Sequence, residues 1–414
     1  MAIRTNIKRL RETKVLENYS FMTILNVLSA LISLIIYPYV IRVTGAEAFG
    51  VYPYALAIIL YFQILIDFGF DSPSARAIVE HRDDDDAKSR ILSEVFSAKL
   101  LLFLACSILL GGLMCIIPDM RANKLIFGLT FAQTFTTVLY PVWYFQGMKK
   151  MRVVTYINLA LRLLSVPLIL LFVRSASDLW LYILIVSGSM VSGGLVAFIY
   201  IFVHDKLTIR LVSPNQLMPL FRDGTPFFIT SLAGQLKEGL MTIVVRYFFG
   251  YTEVTLLDIA KKIVAIPRMF TQSINGALFP EVMQHPTELR VKKILRYERL
   301  IGLGATLGVI ALSYPTILWL FGKDVIAAVP LTIILSWSLY TWLVIGAYLN
   351  FVFIPNNKYY LITIDQVVAL VTCVLFLVML LVWNNILVIT IALTLSSFCE
   401  LIFCRYITRK KGLL

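Results

Sequence analysis

The chain has 414 residues, of which 59% are hydrophobic and 15% are charged. A typical soluble domain carries about 25% charged residues, so this composition excludes a soluble globular protein. The net charge of +13 comes largely from basic residues in the short segments between apolar runs. This distribution is a membrane-topology signal, and it does not indicate a nucleic-acid partner. We therefore expect an all-α membrane protein, because open strands cannot satisfy their backbone groups in lipid.

Hydrophobic stretches separated by Gly, Pro or charge predict twelve transmembrane helices. Each stretch is close to the length of about 20 residues that a helix needs to cross a hydrocarbon core. The first stretch follows a basic segment but is too long for the core of a signal peptide, so it is expected to stay in the mature protein. The predicted spans are residues 18–43, 49–70, 91–117, 122–145, 152–173, 179–203, 225–249, 253–280, 299–321, 327–354, 359–383 and 385–405.

Lys and Arg residues are distributed unevenly between the two sides of this arrangement. The side that holds both termini carries 25 of them, the opposite side carries five, and seven lie within spans. Loops rich in Lys and Arg stay in the cytoplasm, so both termini are predicted to be cytoplasmic.

The two halves of the chain resemble each other at a separation of about half its length. The turn at residues 146–151 lies 208 residues before a turn at residues 354–359, and the same offset places Asn158 on Gln366. At the helix exits, Arg42-x-x-Gly45 is matched by Arg246-x-x-x-Gly250. Such repeats are typical of transporters whose substrate binds where the repeats meet.

The repeat predicts two six-helix lobes. The N-terminal lobe is assigned to residues 1–205 and the C-terminal lobe to residues 225–414, with a cytoplasmic linker at 206–224. We expect the two lobes to enclose a central cavity and to rock against each other during transport.

Spans 7 and 8 are unusual because they carry most of the charge inside the predicted membrane region. Charges in lipid are costly and usually face a water-filled cavity or one another. In span 8, Asp258, Lys261 and Lys262 share one helix face. The basic residues of this region form a candidate site for a substrate phosphate or diphosphate. They are Arg246, Lys261, Lys262 and Arg268, with Arg42 near the predicted periplasmic mouth.

Local pairing is the simpler explanation of the same charges. Asp258 could neutralise Lys262 one helical turn away, and Lys237 could pair with neighbouring acids. Long basic side chains near helix ends can also extend to the interface. The sequence is compatible with both interpretations, a phosphate-binding site and local charge pairing.

Four carboxyl groups are candidates for coupling or gating, namely Asp67, Glu238, Asp258 and Asp365. The coupling ion would be a proton or sodium, and no other cofactor is expected. Asp67 and Asp71 could cap a helix and bind Arg76, or contribute to a gate. The acidic run at residues 83–86 indicates a solvated loop rather than a cation site.

Catalytic and metal-binding chemistry is not expected. The five cysteines lie inside apolar spans without metal-ligand spacing. The three histidines fall in predicted cytoplasmic loops, so a buried histidine relay is not expected. The sequence contains no nucleotide-binding, serine-hydrolase or zinc-protease motif.

Several segments resemble the Wzx polysaccharide-transporter family. The most specific is Pro141-Val-Trp-Tyr-Phe-Gln-Gly-Met-Lys-Lys-Met151, followed by Asp67-Phe68-Gly69-Phe70 and the residues 258–263 and 277–280. This family belongs to the multidrug/oligosaccharidyl-lipid/polysaccharide (MOP) superfamily. The resemblance implies a fold like that of the MATE transporters, with a central V-shaped cavity.

The resemblance also implies a function and a set of partners. The expected protein is a flippase of the bacterial inner membrane that moves undecaprenyl-diphosphate-linked oligosaccharides to the periplasmic leaflet for O-antigen, capsule or exopolysaccharide assembly. Its expected partners are this lipid-linked oligosaccharide, membrane lipids, and a polysaccharide polymerase or other assembly proteins. The lipid-linked substrate is implied by the resemblance alone.

Two other functions compete with this one. A cation-coupled drug exporter of the same superfamily would favour an acidic cavity, whereas the charges here are mainly basic. A membrane polymerase or glycosyltransferase would need a sizeable outer loop with catalytic residues, and every predicted outer connection is short. A scaffold would not require charge inside its spans.

Overall fold

The computed structural model describes residues 32, 35–284 and 288–413. For residues 270–284 it describes the backbone only. Over these residues the regular secondary structure is helical, and it contains no β-strand. The predicted all-α class is therefore confirmed. The α-helices are α1 Ile35–Thr44, α2 Ala46–Asp67, α3 Asp71–Glu80, α4 Asp85–Ile116, α5 Pro118–Ala122, α6 Lys124–Ala132, α7 Thr136–Leu139, α8 Val142–Gly147, α9 Met151–Phe172, α10 Leu179–His204, α11 Met218–Phe248, α12 Tyr251–Gln284, α13 Glu288–Leu320, α14 Ala328–Tyr348, α15 Tyr359–Leu377 and α16 Leu387–Lys410.

Nine helical stretches in the described part of the chain are long and apolar enough to cross a membrane. In chain order they coincide with predicted spans 2 to 6 and 9 to 12. Predicted spans 7 and 8 correspond to α11 and α12, which have 31 and 34 residues and carry most of the in-span charge. Predicted span 1 lies mostly outside the described residues, so the count of twelve stays a prediction.

Two predicted loops are more helical than expected. The segment 71–90 contains α3 and the first turns of α4. The segment 281–300 is occupied by the end of α12 and the start of α13, apart from residues 285–287, which lie outside the described part. Hydropathy marks where a helix leaves the lipid, and these helices continue beyond that level because their charged turns are still good helix formers.

The chain packs as two compact units. Unit 1 contains the described residues up to Thr44 and Ile58–Leu232, and unit 2 contains Gly45–Ala57 and the described residues from Ala233 onwards. Two of the three boundaries fall inside long helices, α2 and α11, and the third lies between α1 and α2. The predicted lobe boundaries, by contrast, were placed in loops.

The aromatic turn that carries the family resemblance belongs to the core of unit 1. Trp143, Tyr144 and Phe145 are buried there. A Cβ added at Gly147 would lie 2.8 Å from Ile78 Cγ2, so glycine allows α8 to approach α3 closely. Packing thus explains the three aromatic residues and Gly147 of this turn, whereas Gln146 is exposed.

The predicted linker is held along α4 by hydrogen bonds. The backbone N–H groups of Thr208, Arg210 and Val212 donate to the hydroxyl oxygens of Ser89, Ser93 and Ser97, at 3.3, 3.0 and 3.0 Å. Four residues of helix rise about 6 Å and two residues of extended chain rise about 6.6 Å, so the two spacings match. This serine ladder attaches residues 208–212 to unit 1.

The internal repeat is visible in the backbone. Lys149 and Asn357, which are separated by the predicted offset, both have positive φ angles of 58° and 55°. The turns also share a hydrogen bond, from Lys150 N to Phe145 O at 2.8 Å and from Lys358 N to Phe353 O at 2.9 Å. The two turns therefore share one unusual conformation, as the predicted repeat requires.

Candidate functional site

In unit 1, Lys99 of α4 brings together Asp67 at the end of α2 and Asp71 at the start of α3. Its Nζ lies 2.7 Å from Asp67 Oδ1 and 2.7 Å from Asp71 Oδ1, and its side chain is 3% exposed. Arg76, the partner considered from the sequence, instead binds Glu80 at 2.8 Å. A salt bridge therefore occurs at Asp67 and Asp71, but with a lysine from the middle of an apolar helix.

A tight turn follows the Asp67 carboxylate. Phe68 and Gly69 have φ angles of 43° and 72°, a region that phenylalanine rarely adopts. The Phe68 ring stacks on Phe228 of α11, with ring centroids 4.6 Å apart. A Cβ at Gly69 would lie 2.6 Å from Phe228 N, and a Cβ at Gly224 would lie 2.8 Å from Phe68 O. Paired glycines thus allow this turn to contact the start of α11.

The acidic run at residues 83–86 begins a helix. Asp84 caps α4 by accepting a hydrogen bond from Ala87 N at 3.0 Å, and Asp85 binds Lys88 at 2.6 Å. No group of three or more potential metal ligands occurs among the described residues. All four residues are exposed, as expected for a solvated segment; the first two lie in the turn before α4 and the last two in its first turn, where their charges stabilise the helix N-terminus.

Unit 2 contains an ion pair between two predicted membrane spans. Lys237 Nζ of α11 lies 2.6 Å from Glu400 Oε1 of α16, and the two side chains are 17% and 9% exposed. The partner of Lys237 is therefore 163 residues away in the sequence. Glu400 lies within predicted span 12, and its pairing with Lys237 could not be predicted from the sequence.

Lys261 of α12 is also engaged by an acid. Its Nζ lies 3.6 Å from Glu238 Oε2 and donates to Glu238 O and Thr242 Oγ1, each at 3.1 Å. The Glu238 side chain is 51% exposed, so this ion pair is only partly buried. The basic face predicted for span 8 is therefore partly neutralised by α11.

Arg246 and Arg268 contact aromatic and hydroxyl groups within unit 2. The Arg246 guanidinium lies 3.9 Å from the centroid of the Tyr251 ring. Arg268 Nη2 donates to Ser338 Oγ at 2.7 Å, and its guanidinium lies 5.7 Å from the Trp342 ring. Contacts of this kind orient a guanidinium, but they do not neutralise it, because a ring or a hydroxyl carries no net charge.

Asp365 is the most enclosed of the candidate coupling residues. Its side chain is fully buried in α15, where the Cys404 thiol of α16 donates to Oδ1 at 3.3 Å. Gln366, which the repeat equates with Asn158, contacts the other oxygen at 3.4 Å. Asn158 itself donates to the Tyr140 hydroxyl at 2.9 Å.

Most of the candidate residues fall within one unit. Arg246, Lys261 and Arg268 belong to unit 2, as do Glu238 and Asp365. The remaining candidates of that unit, Asp258 and Lys262, are half-buried on α12. Arg42 is an exposed residue of α1, and Arg42 and Asp67 belong to unit 1.

The sequence does not predict that Lys99 binds Asp67 and Asp71, or that Lys237 binds Glu400. Lys99 and Glu400 are each a single charge in a long apolar run, and such a charge is expected to have a partner or a function. That signal could have identified the residues, but the identity of the partners depends on how the helices pack.

Comparison with known proteins assigns a family. Residues 15–285 match the family model described as "Polysaccharide biosynthesis protein". A candidate O-antigen transporter of Escherichia coli (strain K12) is 25% identical over 283 residues, which are 67% of each chain. A candidate O-antigen transporter of Shigella dysenteriae is 22% identical over 60% of this chain, and the match spans less than two thirds of that protein, 62%. Both relatives are named as transporters, in agreement with the prediction that this chain is not an enzyme.

Solved structures show the same fold at low sequence identity. The lipid II flippase MurJ, in an inward closed conformation, matches with a TM-score of 0.75 and 14% identity over 93% of this chain and 87% of its own. An inward-facing multidrug resistance MATE transporter of the MOP superfamily matches with a TM-score of 0.69 and 14% identity, over 92% of this chain and 95% of its own. The predicted MATE-like fold is thereby confirmed. The chain is therefore a multi-pass membrane protein that belongs to the polysaccharide biosynthesis protein family and has the fold of the MOP transporters.

Proposed function

We propose that this chain is a flippase for undecaprenyl-diphosphate-linked oligosaccharide repeat units. It would move them from the cytoplasmic to the periplasmic leaflet of the bacterial inner membrane by alternating access, for O-antigen, capsule or exopolysaccharide assembly. Family membership, the names of its relatives and a fold like that of a lipid II flippase support this proposal.

The observation that carries the proposal is the set of basic groups on α11 and α12. Arg246, Lys261 and Arg268 lie within predicted membrane spans, where an ionisable residue is by default a candidate functional group. A diphosphate is recognised by charge and by several hydrogen-bond donors, which Arg and Lys supply in different geometries. The Glu238 carboxylate beside Lys261 would hold the Lys261 ammonium in place between transport cycles.

Deletion of the gene tests the function directly. A flippase mutant should accumulate complete lipid-linked repeat units that stay inaccessible from the periplasm. Complete but unpolymerised units on the periplasmic side would instead indicate a polymerase. Sensitivity to cationic drugs without any change in the lipid-linked sugars would favour the drug-exporter alternative.

Substitutions test the site within that function. At matched membrane abundance, Arg268→Gln should lose most repeat-unit export, whereas Arg268→Lys should retain part of it because the charge remains. Arg210→Gln removes an exposed arginine of unit 1 and is the control. Wild-type export in Arg246→Gln, Lys262→Gln and Arg268→Gln would assign these residues to charge pairing only.

Coupling to a proton or sodium ion is part of the proposal. Asp365 is the best-placed carrier among Asp67, Glu238, Asp258 and Asp365, because it is enclosed and lies in the same unit as the basic groups. Asp365→Asn should abolish the dependence of export on an imposed ion gradient. Export that follows the gradient as in the wild type would remove Asp365 from this role.

A further inference from the structure

The end of α16 in unit 2 carries a basic cavity that the proposed transport site does not include. The cavity has a volume of about 480 Å³ and is lined by Ile402, Arg405, Tyr406, Arg409 and Lys410. These residues recur at intervals of three and four, so they form one face of the helix. Three of the five are cationic and none is acidic.

The side chains of this cavity combine apolar and donor groups. Ile402 and Tyr406 are 63% and 58% exposed. Lys410 Nζ lies 5.6 Å from the Tyr406 ring, and Arg405 Nη2 donates to the Tyr340 hydroxyl at 3.3 Å. Arg405 Nε is buried and has no hydrogen-bond partner among the described residues. An anionic ligand with an apolar part would match both kinds of surface.

The positive charge extends beyond the cavity wall. Lys411 donates to the hydroxyl of Tyr360, the second residue of α15, and lies 4.8 Å from the centroid of its ring. Lys358 directly precedes the first residue of the same helix. These two lysines add to the positive electrostatic potential near the cavity. A positive potential of this kind attracts anionic lipids.

The internal repeat identifies the end of α10 in unit 1 as the counterpart of the end of α16. Lys206 and Gly412 both have positive φ, of 54° and 57°, at the ends of α10 and α16. The preceding turns share a hydrogen bond, from Asp205 N to Ile201 O at 3.2 Å and from Lys411 N to Ile407 O at 3.0 Å. These turns align the two helix ends with an offset of 206 residues.

With that alignment, the same face of α10 is almost uncharged. Residues 402, 405, 406, 409 and 410 of α16 correspond to Val196, Ile199, Tyr200, Val203 and His204 of α10. The position of Lys411 corresponds to Asp205, which binds Lys150 and neutralises that corner of unit 1. Both helix ends lie on the side predicted to be cytoplasmic, so topology alone does not account for three cations on one of them.

We propose that the α16 cavity binds the phosphate headgroup of an anionic phospholipid. Arg405, Arg409 and Lys410 would contact the phosphate oxygens, while Ile402 and the Tyr406 ring would lie against the glycerol and the first methylenes. The proposal is independent of the transported substrate.

The test uses the full chain in detergent and measures thermal unfolding while phosphatidylglycerol or phosphatidylcholine is titrated. Phosphatidylglycerol should stabilise the wild type saturably, and phosphatidylcholine should not. Arg409→Gln/Lys410→Gln removes two exposed cations without disturbing the core. Each is worth about 1 kcal/mol near an anionic lipid, so apparent affinity should fall about tenfold or more.

The control variant is Lys206→Gln/Arg210→Gln, which removes the same charge from exposed positions of unit 1. It should bind phosphatidylglycerol as the wild type does, and an equal loss would overturn a specific site. If inorganic phosphate stabilised the protein as strongly as phosphatidylglycerol does, the site would bind free anions, and the phospholipid proposal would be wrong. If Arg409→Gln/Lys410→Gln impaired the binding of undecaprenyl diphosphate and spared phosphatidylglycerol, the site would belong to the transported lipid, and the proposal would be wrong.

Discussion

Individual charged side chains in unit 2 are held by partners from distant parts of the chain. Lys237 is held by Glu400, and Lys261 by Glu238. Bringing two charges out of water costs several kcal/mol per ion, which their mutual attraction offsets only in good geometry. The Lys237–Glu400 pair is mostly buried, so it holds α11 against α16 specifically, because either charge would be destabilising without the other.

Exchanging the two charges of the Lys237–Glu400 pair tests this interpretation. Lys237→Met or Glu400→Gln leaves one charge buried alone, and breaking a buried pair typically costs about 3–5 kcal/mol. The variant Lys237→Glu/Glu400→Lys should recover a large part of that loss, as measured by thermal unfolding in detergent. Losses that simply add in the double variant would mean that the two side chains are not coupled.

The Asp205 carboxylate provides a pH-dependent contribution at the end of α10. Burial raises the pKa of Asp205, but hydrogen bonds from Lys150, Tyr144 and His204 outweigh burial and lower it below its usual value. A carboxyl group with a lowered folded-state pKa adds stability above its unfolded pKa of about 3.9. That stability is lost as the pH falls through the folded-state pKa.

We therefore expect Asp205→Asn to lower the unfolding temperature at pH 7 and to have a much smaller effect near pH 3. Asp83→Asn removes an exposed carboxylate from the turn before α4 and serves as the control. A loss at Asp205→Asn that is the same at both pH values would show that the ionised carboxylate is not responsible.

At the scale of elements, α4 organises unit 1 through polar residues on an otherwise apolar helix. Ser89, Ser93 and Ser97 hold residues 208–212, and Lys99 holds the end of α2. The serines recur every four residues and so lie on one face. Their hydroxyl oxygens accept from the linker, and Ser93 also donates to its own helix at Ser89 O.

Removal of the serine ladder should release the linker. Each lost hydrogen bond is worth about 0.5–1.5 kcal/mol, so Ser89→Ala/Ser93→Ala/Ser97→Ala should lower the unfolding temperature measurably. Tryptic cleavage after Lys206 or Arg210 should also become faster. Ser107→Ala is the matched control, since this serine lies on the same helix and donates to Phe103 O. Unchanged cleavage in the triple variant would mean that other contacts hold the linker.

At the scale of the whole molecule, orientation in the membrane is the prediction most open to a direct test. In a variant whose five native cysteines are replaced by serine, Lys323→Cys should react with an impermeant thiol reagent applied to intact cells. Asp84→Cys should react only after permeabilisation. Both positions are exposed. The opposite pattern would invert the topology derived from the distribution of Lys and Arg.

The sequence by itself was sufficient for the membrane class, for nine of the spans and for the repeat. These features depend on local composition and on spacing along the chain, since about 20 apolar residues form a spanning helix whatever surrounds them. The turns at Lys149 and Asn357 were likewise recognisable, because their conformation is encoded by a few neighbouring residues.

The tertiary structure alone decided the partners and the unit boundaries. Asp67 and Asp71 are bound by Lys99, about 30 residues later, and Lys237 is bound by Glu400 after 163 residues. Which charges meet depends on how helices pack, because an ion pair forms only where the charged atoms of two side chains come within about 4 Å of each other. For the same reason, the division of α2 and α11 between the units could not be seen in their sequences, which read as uninterrupted helices.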